Sequence, residues 1–309
     1  MARLLVLCLL FGACGGLSPI RGPFDAALDV VDRPPASDGR RVSVDGACNG
    51  HAALCERRYD QVAFAATHNA MSSADEGWFQ PNQQHALRRQ LDDGVRALLL
   101  DTHYSGGRVS LCHGVCAAGR SPLSDALAVI AGFLRDNPRE VVTLIFEAHV
   151  SAADTAAEIA RAGLLPAVYT HRGAWPTLGE MIATGRRLVI FTERGGGAPR
   201  WYHDLWVHAW ETPYRFGGSG DFTCGKNRGT EGAPLFLLNH FVTPVFPSLS
   251  ASREVNQWAV LGARARECQR RSGRLPNFVA VDFYATGDLL AVVDALNGVA
   301  TMGSAGAAP

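Results

Sequence analysis

The chain has almost no lysine and no excess of either charge. Lys226 is its only lysine, and 29 basic residues balance 29 acidic ones to a formal net charge of zero at pH 7. We attribute the shortage of lysine to codon bias in a GC-rich genome. A chain without net charge gives no electrostatic reason to expect a nucleic-acid partner. We therefore predict that the protein does not bind nucleic acid.

The apolar run near the amino terminus is too short to cross a bilayer. It extends from Leu4 to Phe11 behind the basic start Met1-Ala2-Arg3, a pattern typical of a signal peptide. Small residues before Cys14 resemble the bacterial lipobox, whose cysteine is lipidated after cleavage. We predict a signal peptide with a lipobox over residues 1–14, with ordinary secretion as the equal alternative. The mature protein would be secreted or lipid-anchored on the bacterial cell envelope.

Zinc-type cysteine spacing is also missing, because no C-x₂-C pair occurs with matching histidines. Six cysteines remain after the predicted signal peptide, and an even number in an exported chain favours disulfides. Six cysteines can pair in 15 ways. Proximity along the chain suggests Cys48–Cys55 and Cys112–Cys116, which leaves Cys224–Cys268.

Composition divides the chain into three parts after the signal peptide. Residues 15–45 are rich in Pro, Gly, Asp and Arg and predict a flexible arm. Residues 46–298 contain no repeat or internal linker and predict one domain. Residues 299–309 predict a disordered tail.

Apolar runs alternate with helical stretches throughout the domain. Strands are predicted at 61–67, 95–101, 108–113, 141–147, 187–192, 205–209, 235–241 and 278–284. Helices are predicted at 82–93, 122–137, 152–163, 177–184, 253–271 and 287–297. This alternation predicts an α/β fold with a parallel sheet, and eight strands in about 260 residues fit a distorted TIM (β/α)₈ barrel. The second and third strands are joined by a tight turn with no room for a helix, so the barrel should be irregular there.

Four of the predicted strands end in residues that can move protons or bind metal. These residues are His68 with Asn69, then Asp101, His113 and Glu147. Parallel barrels present their chemistry at the carboxyl ends of their strands. Two histidines suit proton transfer, while an amide and two carboxylates suit a hard divalent cation. The pattern indicates an enzyme.

At these strand ends the chain resembles the X domain of phosphatidylinositol-specific phospholipases C, within the wider group of phospholipase-C-like phosphodiesterases. The matching segments are Thr67-His68-Asn69, Gly94 to Asp101, Leu111 to Gly114, Pro138 to Val142 with Phe146-Glu147, and Pro276 to Tyr284. The resemblance covers roughly residues 46 to 298. It implies a distorted TIM barrel, in agreement with the strand count.

The resemblance also implies roles for individual residues. His68 would take a proton from the attacking hydroxyl and His113 would protonate the leaving oxygen. Asn69, Asp101 and Glu147 match positions that bind calcium in the metal-dependent branch, with Mg²⁺ as the alternative cofactor. Asp282 matches an acidic residue that orients the first histidine in the metal-free bacterial branch.

One position departs from both branches of the family. The residue two before Asp101 is acidic in both, and here it is Leu99, on the same strand face as Asp101. At Asp101 the metal-free branch has an arginine that offsets phosphate charge. A carboxylate beside a phosphodiester is repulsive unless a cation intervenes. We therefore expect a calcium-like site that is one ligand short.

Each candidate residue also has a purely structural alternative. His68 could be a core histidine bonded to a carbonyl, and His113 could serve the neighbouring disulfide. Asp101 and Glu147 could pair with arginines such as Arg96. Asp282 fits a structural role almost as well as a catalytic one.

These expectations combine into a predicted exported phosphodiesterase that cleaves the glycerol-side phosphodiester of a phospholipid at a membrane surface. One alternative is another phosphodiester substrate, such as a sphingolipid or a glycerophosphodiester. A second is a non-catalytic head-group-binding barrel, which Leu99 favours and the two histidines oppose. We expect a monomer.

Overall fold

The computed structural model describes residues 46–230, 232–242 and 245–299. The predicted signal peptide, the predicted arm and the tail from residue 300 lie outside the described residues. In the part described, no helix is long and apolar enough to cross a membrane.

Eight strands form one curled parallel sheet, which confirms the predicted barrel class. Its strand order is β7-β6-β5-β2-β1-β10-β9-β8, and β3 and β4 lie off this path. Across the described residues no ladder joins β7 to β8, so the curled sheet has an opening there. The strands are Phe64–Thr67 (β1), Ala97–Ser105 (β2), Arg108–Leu111 (β3), Ser121–Pro122 (β4), Val142–Ala148 (β5), Leu188–Thr192 (β6), Tyr202–Asp204 (β7), Ala209–Glu211 (β8), Leu235–Asn239 (β9) and Phe278–Val281 (β10).

The predicted third strand is not a barrel strand, which corrects the eight-strand assignment. Gly106 and Gly107 both have positive φ, at 61° and 73°, as a tight hairpin turn requires. The chain therefore reverses, and β3 pairs antiparallel with β2 instead of joining the parallel sheet. His113 follows this hairpin, and the backbone N–H of Cys112 donates to the carbonyl of Asp101 at 3.2 Å. The reversal thus returns His113 to the end of the neighbouring strand.

The predicted strand at 205–209 is also wrong, because a helical turn occupies most of it. The turn is Leu205–His208 (α5), flanked by β7 and β8. The carboxylate of Asp204 accepts the backbone N–H of Trp206 at 2.9 Å. Such an N-cap starts a helix, and the apolar content of the run does not reveal it.

The helices cover the outside of the sheet and begin or end at recognisable residues. Thr177 and Glu180 form a capping box at the start of α4, and Gly94 ends α1 with a φ of 113°. The predicted helix at 253–271 is divided by a π-helical turn at Trp258–Gly262. The α-helices are Leu87–Asp93 (α1), Leu123–Asp136 (α2), Ala152–Arg161 (α3), Leu178–Ala183 (α4), Leu205–His208 (α5), Leu249–Val255 (α6), Ala263–Ser272 (α7) and Leu289–Leu296 (α8).

All three predicted disulfides are present. The Cα–Cα separations are 5.1 Å for Cys48–Cys55 and 5.0 Å for both Cys112–Cys116 and Cys224–Cys268. The second bridge spans His113 and fixes the loop that carries it.

Alternate side chains along each strand belong to two different cores. On β2, Leu98 and Leu100 pack in the cluster that includes the apolar face of α2, whereas Ala97 and Leu99 pack in a second cluster inside the curled sheet. Since side chains alternate between faces, residue 101 continues the inner face. The strand bodies therefore fill the barrel with apolar side chains, and the next inward position lies at its mouth.

Candidate active site

On seven strands, the first inward-facing residue after the apolar stretch is polar. Each lies two residues after a buried inner residue, as Asp101 follows Leu99 and Asp282 follows Ala280. The seven are His68, Asp101, Glu147, Glu193, Glu211, Asn239 and Asp282. The barrel mouth is thus a ring of polar side chains above an apolar interior.

His68 is held on two sides. Its Nδ1 lies 2.9 Å from Oδ1 of Asp282, and its ring stacks on Phe241 with centroids 3.9 Å apart. Asp282 is 1% exposed, and its Oδ1 also accepts the side-chain amide of Asn82 at 3.0 Å. A carboxylate at Nδ1 fixes the tautomer with its proton on Nδ1, which leaves Nε2 able to accept a proton.

The backbone around this pair adopts a conformation that non-glycine residues rarely take. Asn69, directly after His68, and Phe283, directly after Asp282, both have a φ of 46°. The side-chain amide of Gln83 donates to the carbonyls of His68 and Val281, at 2.7 and 3.0 Å. Strained backbone persists where surrounding contacts enforce it, and it concentrates at functional sites.

His113 forms a second pair of the same kind. Its Nδ1 lies 2.7 Å from Oδ2 of Asp101, and this hydrogen bond raises the pKa of His113 above its usual value. The His113 side chain is 54% exposed, so it lies at the rim of the mouth. Its ring centroid is 6.3 Å from that of His68, within the spacing expected of two rings that serve one phosphodiester.

Asn69 lies between the two pairs. In the amide orientation that satisfies both its ends, the nitrogen donates to both Asp101 oxygens at 3.2 and 3.3 Å. The oxygen then accepts the N–H of His113 Nδ1 at 3.2 Å, and it lies 3.2 Å from Nε2 of His68, whose N–H it accepts once that nitrogen has taken a proton. Asn69 therefore links the two histidine–aspartate pairs. We call these five residues the dyad half of the mouth: His68, Asn69, Asp101, His113 and Asp282.

The predicted calcium ligands do not fit a cation as they are arranged. Asp101 is occupied by His113 and Asn69, and Glu147 lies 3.0 Å from Nε2 of His149. Within the described ranges, no group of three or more His, Cys, Asp or Glu is placed to hold a metal ion. Of the arginines proposed as structural partners, Arg96 pairs instead with buried Glu140 at 2.7 Å, whereas Arg194 does lie 3.9 Å from Glu147.

The opposite side of the mouth is built around Arg228. Its guanidinium donates to Glu193 at 2.6 and 3.3 Å and to Glu211 at 2.5 Å, and it lies over the rings of Trp206 and Tyr214. We call Glu193, Glu211 and Arg228 the arginine half. Glu211 also accepts the amides of Asn227 and Asn239, at 3.0 and 2.9 Å.

Burial controls the charge of the arginine half. It raises the pKa of the Glu193 carboxyl to about 7, against the opposing effect of Arg228. Burial would lower the pKa of Arg228, but its hydrogen bond to Glu211 and the charges of both glutamates raise it instead. A carboxyl that titrates near neutral pH beside a cavity is typical of functional sites.

A cavity of about 60 Å³ connects the two halves. Its walls include His68 and Asp101 on one side and Glu193 and Arg228 on the other, and Leu99 lies among the lining residues. This volume holds a few water molecules or one small polar group. Its size admits a hydroxyl group, while the bulk of a larger ligand would lie outside.

Sequence reasoning did not single out Asn82, Arg228 or Glu211. Arg228 and Asn82 lie in loops, and no local pattern distinguishes them. Glu211 could have been found, because it follows inward-facing Ala209 at the same two-residue spacing as the other mouth residues.

The family model described as PI-PLC X matches residues 54–297. A curated "Uncharacterized secreted protein" of Arthroderma benhamiae is 30% identical over 78% of this chain, which spans 61% of that relative. A "PI-PLC X domain-containing protein 1" of the same organism is 29% identical, covering 82% of this chain and 90% of the relative.

Solved structures show the same fold. The phosphatidylinositol-specific phospholipase C of Listeria monocytogenes matches with a TM-score of 0.54 at 14% identity, covering 79% of this chain and 94% of that one. A variant of the Staphylococcus aureus enzyme matches with a TM-score of 0.55 at 12% identity, covering 79% and 93%. With a family model that matches most of its length, the chain belongs to the PI-PLC X domain family.

Proposed function

We propose that the protein is a phosphodiesterase that cleaves the glycerol-side phosphodiester of a phospholipid by acid–base catalysis between His68 and His113. One observation carries this proposal. Two histidines, each with an aspartate on Nδ1, lie 6.3 Å apart across one mouth of the barrel. A protein that only bound a head group would not require two such pairs.

The proton transfers follow from the two tautomers. Nε2 of His68 takes the proton of the attacking hydroxyl as its oxygen bonds to phosphorus. The bond from phosphorus to the glycerol oxygen breaks, and protonated His113 gives that oxygen its proton. Asp282 stabilises the imidazolium formed on His68, as the aspartate of a catalytic triad does.

A turnover assay on a panel of phospholipids, sphingomyelin and glycerophosphodiesters tests this activity. His68→Ala and His113→Ala should each lower kcat by roughly 10²–10⁴-fold. The matched control is His85→Ala, because His85 forms a histidine–aspartate pair with Asp75 at 3.0 Å on the exposed surface. If both active-site variants turn over substrate like the wild type, the two histidines are not the acid and base.

Exposed apolar side chains support action at a membrane surface. Phe79, Val115, Val245 and Phe246 are between 53% and 76% exposed and lie in the segments that follow β1, β3 and β9. Apolar side chains on a lipid-facing rim would enter the interface of the bilayer. The Val245→Ser/Phe246→Ser double variant should sediment less with phospholipid vesicles. Leu165→Ser should sediment like the wild type, because exposed Leu165 lies three residues before Val168, which bridges the first residue of β6.

Export is part of the same proposal. The signal-peptide pattern, three disulfides and a relative described as secreted support it. Metabolic labelling with palmitate in a bacterial host, compared between wild type and Cys14→Ser, separates lipid anchoring from simple secretion.

A further inference from the structure

We propose that Asp101 is a positioning residue for His113 and that the site works without a divalent cation. This inference rests on the phosphodiesterase activity proposed above. It assigns Asp101 a role different from the calcium ligand that the family resemblance implies. Three features of the dyad half support it: the partners of Asp101, the residues around it and the charges that a phosphodiester would meet.

The hydrogen-bond partners of Asp101 leave no room for a cation. Oδ2 lies 2.7 Å from Nδ1 of His113, and both carboxylate oxygens lie 3.2–3.3 Å from the side-chain amide of Asn69. A calcium ion needs its oxygen ligands at about 2.3–2.6 Å and needs six to eight of them. A cation bound through Oδ2 would break the His113–Asp101 pair, and one bound through Oδ1 would displace the Asn69 amide in the orientation described above.

The surroundings do not supply the missing ligands. Below Asp101 the inner face continues with Leu99, which is the Cα partner of Ile145 on β5. Apolar side chains thus occupy the level beneath the mouth. Glu147 pairs with Asp101 in the strand register, but its carboxylate contacts His149 at 3.0 Å and lies 3.9 Å from Arg194. Both partners of Glu147 are basic side chains.

His113 offsets the repulsion expected between the Asp101 carboxylate and a phosphodiester. A general acid must be protonated before it acts, so His113 enters the reaction as an imidazolium bonded to Asp101. The carboxylate and the imidazolium form a pair whose charges cancel, and Asp101 no longer repels the phosphate. A cation bound to Oδ2 in addition would compete with the imidazolium for that oxygen.

The first test is metal dependence. Protein treated with chelating resin should turn over phospholipid at the same rate, within about twofold, in excess chelator and in millimolar calcium. Isothermal titration with calcium should show no binding heat. Activity that chelator abolishes and calcium restores would overturn the inference while leaving the His68 and His113 roles intact.

The second test is Asp101→Asn, which keeps the shape and removes the charge. It should lower kcat by about 10²-fold or more and move the alkaline limb of the pH–rate profile to lower pH, because His113 loses its anionic partner. Calcium should not change either effect. Glu147→Gln removes the other predicted carboxylate ligand and should move that limb less than Asp101→Asn, because Glu147 raises the pKa of His113 by its charge and without a hydrogen bond. If the activity of either variant depends on calcium differently from that of the wild type, Asp101 is not a positioning residue.

A third measurement does not depend on turnover. NMR titration of the His113 ring should show a lower pKa in Asp101→Asn than in the wild type, with or without calcium. If calcium displaces the wild-type His113 resonance or lowers its pKa, Asp101 is a metal ligand. If the phospholipid panel shows no turnover, the proposed function fails separately, and this titration still decides the role of Asp101.

Discussion

The two halves of the barrel mouth use the same residue type at equivalent strand positions for opposite purposes. In the dyad half, Asp101 and Asp282 each contact a histidine ring. In the arginine half, Glu193 and Glu211 both contact Arg228. A histidine can release or accept a proton near neutral pH, whereas an arginine cannot. The partner, rather than the carboxylate, therefore decides whether a strand end can move a proton.

The buried carboxylates of the two halves differ in their number of hydrogen-bond partners, since Asp282 is also 1% exposed but, within the described residues, contacts only His68 and Asn82. Glu211 is 1% exposed and accepts hydrogen bonds from Arg228, Asn227 and Asn239. Removing one partner from such a network leaves a buried charge uncompensated. Changes in the dyad half should therefore appear mainly in turnover, and changes in the arginine half mainly in stability.

The largest expected effect is on turnover, in the His68–Asp282 pair. Asp282→Asn keeps the shape and should lower kcat by roughly 10²–10⁴-fold with little change in the free energy of unfolding. In a cycle with His68→Ala, the double variant should be far less impaired than the product of the two losses, because the pair acts as a unit.

The control for this cycle is Asp75→Asn, in the exposed pair with His85. It should leave kcat unchanged. Multiplicative losses in the His68–Asp282 cycle would show that Asp282 has a structural role only.

Arg228→Met should have the largest effect on stability. It leaves Glu193 and Glu211 without their cation, and breaking a buried pair costs about 3–5 kcal/mol. Chemical denaturation measures this loss. Arg88→Met is the matched control, because Arg88 also contacts two carboxylates, Asp92 and Asp136, but on the exposed surface. Its loss should be about 1 kcal/mol or less. Equal losses in the two variants would remove the distinction between the halves.

The places of the dyad-half residues at the barrel mouth could be predicted because that information is local, while their roles stay predictions. His68, Asp101 and Asp282 each end an apolar run, and the alternation of strand side chains places them at the mouth. Their pairing was only partly predictable. That Asp282 contacts His68 follows from the neighbouring positions of β10 and β1. That Asp101 contacts His113 depends on the β2–β3 hairpin, which the barrel prediction treated as two barrel strands.

The arginine half could not be predicted to the same extent. Arg228 lies in the loop before β9, and its contacts with Glu193 and Glu211 join residues 35 and 17 positions apart. No periodicity places a loop side chain in a cavity. The predicted helix at 82–93 similarly concealed Asn82, whose side chain contacts Asp282 while the helix begins only at Leu87.

Asn82→Ala should have an intermediate effect. A hydrogen bond to a charged group contributes about 1.5–3 kcal/mol, so kcat should fall by roughly tenfold or somewhat more while KM stays constant. Asn227→Ala removes the equivalent amide from Glu211 in the arginine half. It should lower stability by about 1 kcal/mol and leave kcat within about twofold. If Asn82→Ala affects stability alone, Asn82 does not position Asp282 for catalysis.

The smallest expected effect, when measured over one pH unit, is a pH dependence of stability that Glu193 introduces. Burial raises its folded-state pKa from 4.5 to about 7, so between these values the folded protein binds a proton that the unfolded chain has released. The resulting stability is complete below about pH 4.5 and is lost as the pH rises through about 7. The unfolding free energy should fall by roughly 1 kcal/mol between about pH 5 and about pH 6.

In Glu193→Gln this slope should be absent, because the amide does not titrate. Denaturation curves of both proteins across this range measure the difference, and Asp75→Asn serves as the control because its carboxyl is exposed. An unchanged slope in Glu193→Gln would mean that Arg228 keeps Glu193 ionised throughout, and that the arginine half carries a fixed charge at every pH at which the dyad half transfers protons.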